Sequence, residues 1–142
     1  MSSGQSIRKE KMSQLSFLVG EWIGTSKSFK NGKLEKEIAA FEKIEYQLDN
    51  HILTVDLNSE SLQLHTVIYY DEEDKTYYYN PFYKTGAAKY KAEFDGKKLI
   101  VKPSAKKRFV FILDKQGNFT EYGEILTNGK WVKYFEDVFK RS

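Results

Sequence analysis

Ten short segments of alternating side-chain character, separated by turn residues, run through almost the whole of this 142-residue chain. The strongest turns are Asn31-Gly32, Asp49-Asn50, Asp95-Gly96 and Asn128-Gly129. These residue types adopt positive φ at little cost and favour tight hairpins. Weaker turns fall at Asn58-Ser59-Glu60, Asp71 to Asp74, Pro103-Ser104-Ala105 and Asp114 to Gly117, and Asn80 to Gly86 is a longer connection. The segments between them predict strands at about 21–29, 34–47, 51–57, 62–70, 75–80, 87–94, 97–102, 107–113, 118–126 and 131–140. A two-residue side-chain period puts Leu53, Val55 and Leu57 on one face of a sheet, and likewise Leu62, Leu64, Thr66 and Ile68, and Phe109, Phe111 and Leu113.

Consecutive strands joined by short turns make a meander. A long open meander exposes two unpaired edges, and closing the sheet on itself removes them. The expected fold is therefore all-β, a closed antiparallel up-and-down barrel of about ten strands, with a β-sandwich as the main alternative. A barrel of that size has room for a ligand inside. Only Lys11 to Val19 reads as helical, a short N-terminal turn closing one end. Residues 1–10 are expected to be a flexible tail and residues 11–142 a single barrel domain.

Composition narrows the chemistry. With no cysteine, disulfides, thiolate nucleophiles and cysteine-based metal sites are excluded. No apolar run approaches the ~20 residues of a membrane-spanning helix. The first twelve residues lack the apolar segment of a secretory signal, and Met1-Ser2 does not suit myristoylation. A cytoplasmic location is expected. A net charge of +3 is too mild to hold a polyanion by itself. Aromatics are abundant, with ten Tyr and ten Phe, which suits strands facing a partly wet interior.

The segment Leu15-Ser16-Phe17-Leu18-Val19-Gly20-Glu21-Trp22-Ile23-Gly24-Thr25 resembles the opening of lipocalin-like barrels of the calycin superfamily. The run from His65 to Tyr77, in which a strand ends in Tyr-Asp, turns and returns as an aromatic strand, is similar to a segment of the bacterial lipocalin-like proteins of unknown function. The resemblance implies a helical turn closing one end of the barrel, with Trp22 packed at its base. Nitrobindin-like haem barrels share the opening and bind haem through a histidine in a late strand. This chain has no histidine after His65, so no cofactor is expected, haem included.

Candidate site residues follow from faces and residue types. Trp22, Gly24, Ser26 and Ser28 share one face of the first strand, whose small members leave room inside. Tyr77 and Tyr79 face one way and Tyr78 the other, so one set suits a cavity wall and the other the outer surface. Thr54, Thr66 and Thr120 would mark a wet interior if they point inward. His51 and His65 lack metal-ligand spacing, and no metal site is expected. The acidic pairs Glu35/Glu37, Glu121/Glu124 and Glu136/Asp137 read as solvated charge. The basic cluster of Lys97, Lys98, Lys102, Lys106, Lys107 and Arg108 reads as solubilising charge, with Arg108 placed to meet a ligand carboxylate. No nucleophile elbow, phosphate loop or dinucleotide fingerprint is present.

The expected function is binding of a small, largely apolar or amphipathic molecule, with an acidic head group as one option, inside the barrel. Trp22, Ser26, Tyr79, Tyr90, Arg108, Phe111, Tyr122 and Tyr134 are the expected ligand-binding residues. No catalysis, nucleic acid or membrane partner is expected, and the chain would act as a monomer or homodimer. The alternatives are an enzyme or haem barrel, which predicts a strongly shifted acid or base inside the cavity, and a solid barrel serving as an interaction module, which predicts a large exposed apolar patch.

Overall fold

The structure, a computed structural model, describes residues 6–142. A helix, α1 (Ile7–Ser13), leads through a single 3-10 turn (Ser16–Leu18) into the strands. These are β1 (Gly20–Lys30), β2 (Lys33–Gln47), β3 (Ile52–Ser59), β4 (Gln63–Asp71), β5 (Thr76–Tyr83), β6 (Gly86–Ala87), β7 (Tyr90–Phe94), β8 (Lys98–Ser104), β9 (Lys107–Leu113), β10 (Phe119–Thr127) and β11 (Lys130–Arg141). Every pairing is antiparallel, and each main strand lies beside its neighbours in sequence. Pairing of β1 with β11 and of β4 with β5 completes a ring of ten strands, a closed barrel. The two-residue β6 hangs from the end of β5.

The turn chemistry explains the register. Asn31 and Gly32 both have positive φ, as do Asn128 and Gly129, the geometry of tight hairpins that match the twist of the flanking strands. At the β2–β3 connection Leu48, Asp49 and Asn50 all adopt left-handed conformations. Two segments differ from expectation. Strand β5 does not end at Asn80 but runs on through Pro81 to Tyr83. The expected strand 87–94 is broken at Ala88 and Lys89: Ala88 donates its N–H to the Pro81 carbonyl, but Pro81 has no N–H to return the second bond of the pair.

The helix begins earlier than the sequence suggests. Ser6 caps it, its hydroxyl accepting the Lys9 N–H at 3.3 Å, so residues 7–10 of the expected tail are helical; residues 1–5 of that tail lie outside the described residues. Met12, Leu15 and Leu18 are fully buried in the barrel end, which fixes the helix across it. The Tyr46 hydroxyl donates to the Met12 carbonyl at 2.7 Å and the Tyr77 hydroxyl to the Lys11 carbonyl at 2.7 Å. Each adds a second donor to a carbonyl that already accepts a backbone N–H, from Gln14 at Lys11 and from Leu15 at Met12.

The core is concentrated beneath this plug. Trp22 packs on Phe119 (centroids 5.3 Å apart), and Phe119 on Phe139 (5.7 Å) and Phe111 (6.2 Å). The Trp22 indole N–H donates to the Leu18 carbonyl at 2.9 Å, and Arg141 lies over its ring. One end of the barrel is thus dry and filled, and the opposite end is where space remains.

Candidate functional site

Alternation points one face of each strand into the barrel. Inward positions include Gly24 and Ser26 of β1, Ala40 and Glu42 of β2, Leu57 of β3, Leu64 and Thr66 of β4, Tyr79 of β5, Phe109 and Phe111 of β9, Glu121 of β10 and Asp137 of β11. Above the packed base they enclose a cavity of about 360 Å³. Its wall is largely aromatic, formed by Tyr79, Phe109, Phe111, Tyr134 and Phe135. The Ser59 to Leu62 hairpin, Tyr83 and Lys107 form the rim. Two small residues make room: Ser26 and Ala40 lie where larger side chains would fill the space.

A bulge in β11 shapes the wall. Gly123 pairs with Phe135 while Glu124 pairs with Lys133, so Tyr134 is an extra residue on its strand. Tyr134 and Phe135, adjacent in sequence, therefore both reach the cavity. Gly123 opposite them has no side chain, and a Cβ there would stand 2.3 Å from the Phe135 ring.

Three acids converge toward the cavity floor. Glu121 and Asp137 are register partners across β10 and β11 and both line the cavity. Glu42 comes from β2 and meets Glu121 from below. All three are buried, and Glu42 Oε2, Glu121 Oε1 and Asp137 Oδ1 have no hydrogen-bond partner among the described residues. Burial disfavours the charged form. It pushes Asp137 up to about 8, helped by the nearby Glu121 charge and opposed by the Ser26 hydroxyl. Burial likewise raises Glu42, to about 7, and Glu121, which is raised further by the neighbouring Glu42 charge. The Tyr79 hydroxyl, fully buried, faces Glu121, Glu42 and Thr66, and its ionisation is pushed well above the ordinary range by burial.

Four of the eight expected residues, Ser26, Tyr79, Phe111 and Tyr134, line this cavity. Tyr90 points inward beside Tyr79 and packs edge-on against Phe109 (6.4 Å), behind the wall. Trp22 lies below the cavity, sealed in the base. Arg108 and Tyr122 are corrected to the outer surface, since their inward neighbours Phe109, Phe111, Glu121 and Gly123 leave alternation no other choice. Arg108 pairs there with Glu124 at 2.8 Å and stacks over Trp131, so it cannot greet a head group inside. Tyr122 lies under the Lys133 ammonium. Thr54 carries its hydroxyl toward the Glu45 backbone, whereas Thr66 is inward and buried. Both histidines are outside the cavity, His51 bonded to its own turn and His65 to Asp56. Among the described residues no group of His, Asp and Glu side chains is placed to hold a metal ion.

Glu121 and Asp137 are not the solvated charge that their neighbours in sequence suggest, and Glu42 joins them without having stood out. The signal for all three is in the alternation. Ala40-x-Glu42-x-Ile44, Phe119-x-Glu121-x-Gly123 and Phe135-x-Asp137-x-Phe139 each set an acid between inward neighbours. An acid at i, with apolar residues at i−2 and i+2, is on the inner face whatever its charge.

No known protein family matches the chain, and no curated protein matches it. Among solved structures, a protein of unknown function from the DUF3598 family of Nostoc punctiforme is 8% identical and aligns over 98% of this chain and 100% of its own, with a TM-score of 0.33. No helix among the described residues is long and apolar enough to cross a membrane.

Proposed function

We propose that this barrel is a container that binds one small, largely apolar molecule in its interior, without catalysis, as a cytoplasmic member of the lipocalin-like (calycin) barrels. The supporting observation is the 360 Å³ cavity with its aromatic wall, a size and lining typical of small-molecule sites. Burying about 300 Å² of ligand apolar surface contributes about 7 kcal/mol at 25 cal/mol per Å². Association costs offset part of that, which sets the expected dissociation constant between about 10 μM and 1 mM.

The test uses N-phenyl-1-naphthylamine, an uncharged probe whose fluorescence rises in apolar surroundings. Saturable one-to-one binding is expected, weakened about tenfold or more by Ala40→Trp, whose indole fills the cavity. Circular dichroism checks that the variant is folded. Binding that fails to saturate, or that a folded Ala40→Trp leaves unchanged, overturns the reading.

One observation favours a second reading, acid–base chemistry on the bound molecule. Burial raises the carboxyls of both Glu121 and Asp137 where they line the cavity, the direction a general acid needs. It predicts that a molecule co-purifying with the protein changes mass on prolonged incubation.

A further inference from the structure

We propose that the cavity floor is a cation site, receiving the protonated primary amine of an amphipathic molecule whose apolar body lies against the aromatic wall. The inference rests on the ligand-binding reading above and names the class of ligand. Glu42, Glu121 and Asp137 are 1, 7 and 4% exposed, and none belongs to any of the ion pairs among the described residues. Buried polar atoms in folded proteins are nearly always satisfied, and leaving one unpaired costs about 1–3 kcal/mol. Here two of the three acids, Glu121 and Asp137, border the open cavity, and Glu42 stands behind Glu121.

A ligand's ammonium answers this chemistry. It has three N–H donors. The floor offers the carboxyl groups of Asp137 and Glu121 and the hydroxyl of Ser26, which sits beside Asp137 in register. Glu42 supports Glu121 from behind. A metal ion fits less well, because no group of three ligating side chains is suitably arranged among the described residues. A carboxylate head group at the floor would face three acids and no base. The basic side chain of the lining, Lys107, is at the rim, its ammonium over the Phe109 and Tyr134 rings at 5.8 and 5.3 Å.

The amine displaces protons. For each ion pair formed, one carboxyl gives its proton to the buffer and its carboxylate accepts from the ammonium. Affinity for an amine therefore rises with pH as the acids become easier to ionise. The groups facing the site are Glu42 from β2, Tyr79 and Tyr83 from β5, Lys107 from β9, Glu121 from β10, and Tyr134 and Asp137 from β11; Glu136, on the outer face, acts on Asp137 from next in sequence.

Three probes with one indole body separate the possibilities: tryptamine, tryptophol and indole-3-acetate, each competing against N-phenyl-1-naphthylamine. Tryptamine is expected to displace the dye at concentrations about tenfold lower than tryptophol, the scale of one charge-assisted interaction, with indole-3-acetate weakest. Its advantage should grow between about pH 6 and 9, and calorimetry in two buffers of different ionisation heat should show proton release. Glu121→Gln and Asp137→Asn should each cut the tryptamine advantage over tryptophol, with circular dichroism reporting that the variants fold. If the dye binds but tryptophol or indole-3-acetate equals tryptamine, or no proton is released, the cation site is overturned and the container reading stands. If the dye does not bind either, both fall.

Discussion

At the scale of the residue, Asp137 carries the sharpest consequence. Its carboxyl ionises near 3.8 in an unfolded chain and at about 8 in the barrel, chiefly through burial. The folded state holds the proton more tightly, so the neutral carboxyl is tolerated in full below pH ~4 and stability is lost as pH rises toward 8. A tenfold difference in proton affinity between the folded and unfolded states is worth about 1.4 kcal/mol, so the total reaches several kcal/mol. Glu42 and Glu121, also raised, add to the same slope. The urea midpoint of the protein is therefore expected to fall steadily between about pH 5 and 8, and Asp137→Asn to flatten that fall and raise stability at pH 8. An unchanged slope in Asp137→Asn would show that its burial is not the cause.

At the scale of the element, the clearest case is the plug. Helix α1 has seven residues, too few to be stable alone, and is held by buried Met12 and by two tyrosine hydroxyls on its final carbonyls. The double substitution Tyr46→Phe and Tyr77→Phe removes both donors and keeps the rings. It is expected to cost about 2 kcal/mol, near 1 for each bond, and to speed amide exchange in residues 7–13 well before the strands. The ten ring strands are legible in the sequence because turn residues and alternation are local properties. The start of α1 is not, because a short polar helix has little periodic signal and depends on Ser6 and the barrel end. The end of β5 is hidden because proline usually stops a strand, whereas Pro81 here sits in the ladder with a single N–H lost. Half of the expected site lines the cavity, since inward and outward aromatics look alike until register is known. Arg108 and Tyr122 lie on the opposite face from the expected one for that reason. Tyr134 reaches the cavity through a bulge that alternation does not foresee.

At the scale of the whole molecule, closure creates a polarity that no single strand contains. Pairing of β1 with β11 brings the start of the first strand against the end of the last: Arg141 donates to the Val19 carbonyl at 3.0 Å, and the Ser142 N–H to the Glu21 carbonyl at 3.0 Å. The aromatic column runs from Trp22 through Phe119 and Phe111 to Tyr79 and Phe109, crossing from the packed base into the open half. Equivalent truncations along that column should then have opposite characters. Phe119 is fully buried with Trp22, Phe111 and Phe139 around it, so Phe119→Ala leaves a void and is expected to cost about 3–5 kcal/mol. Phe109 is only partly buried and borders space already open, so Phe109→Ala loses less, about 1–2 kcal/mol, and enlarges the cavity. Denaturant unfolding measures the first difference, and binding of a bulkier uncharged dye, improved by Phe109→Ala, measures the second. Equal costs at the two positions would mean that stability is spread evenly along the barrel axis. Unequal costs in the stated order would mean that the base carries the fold, leaving the open half free to hold the buried Glu121 and Asp137 at a stability cost the base can absorb.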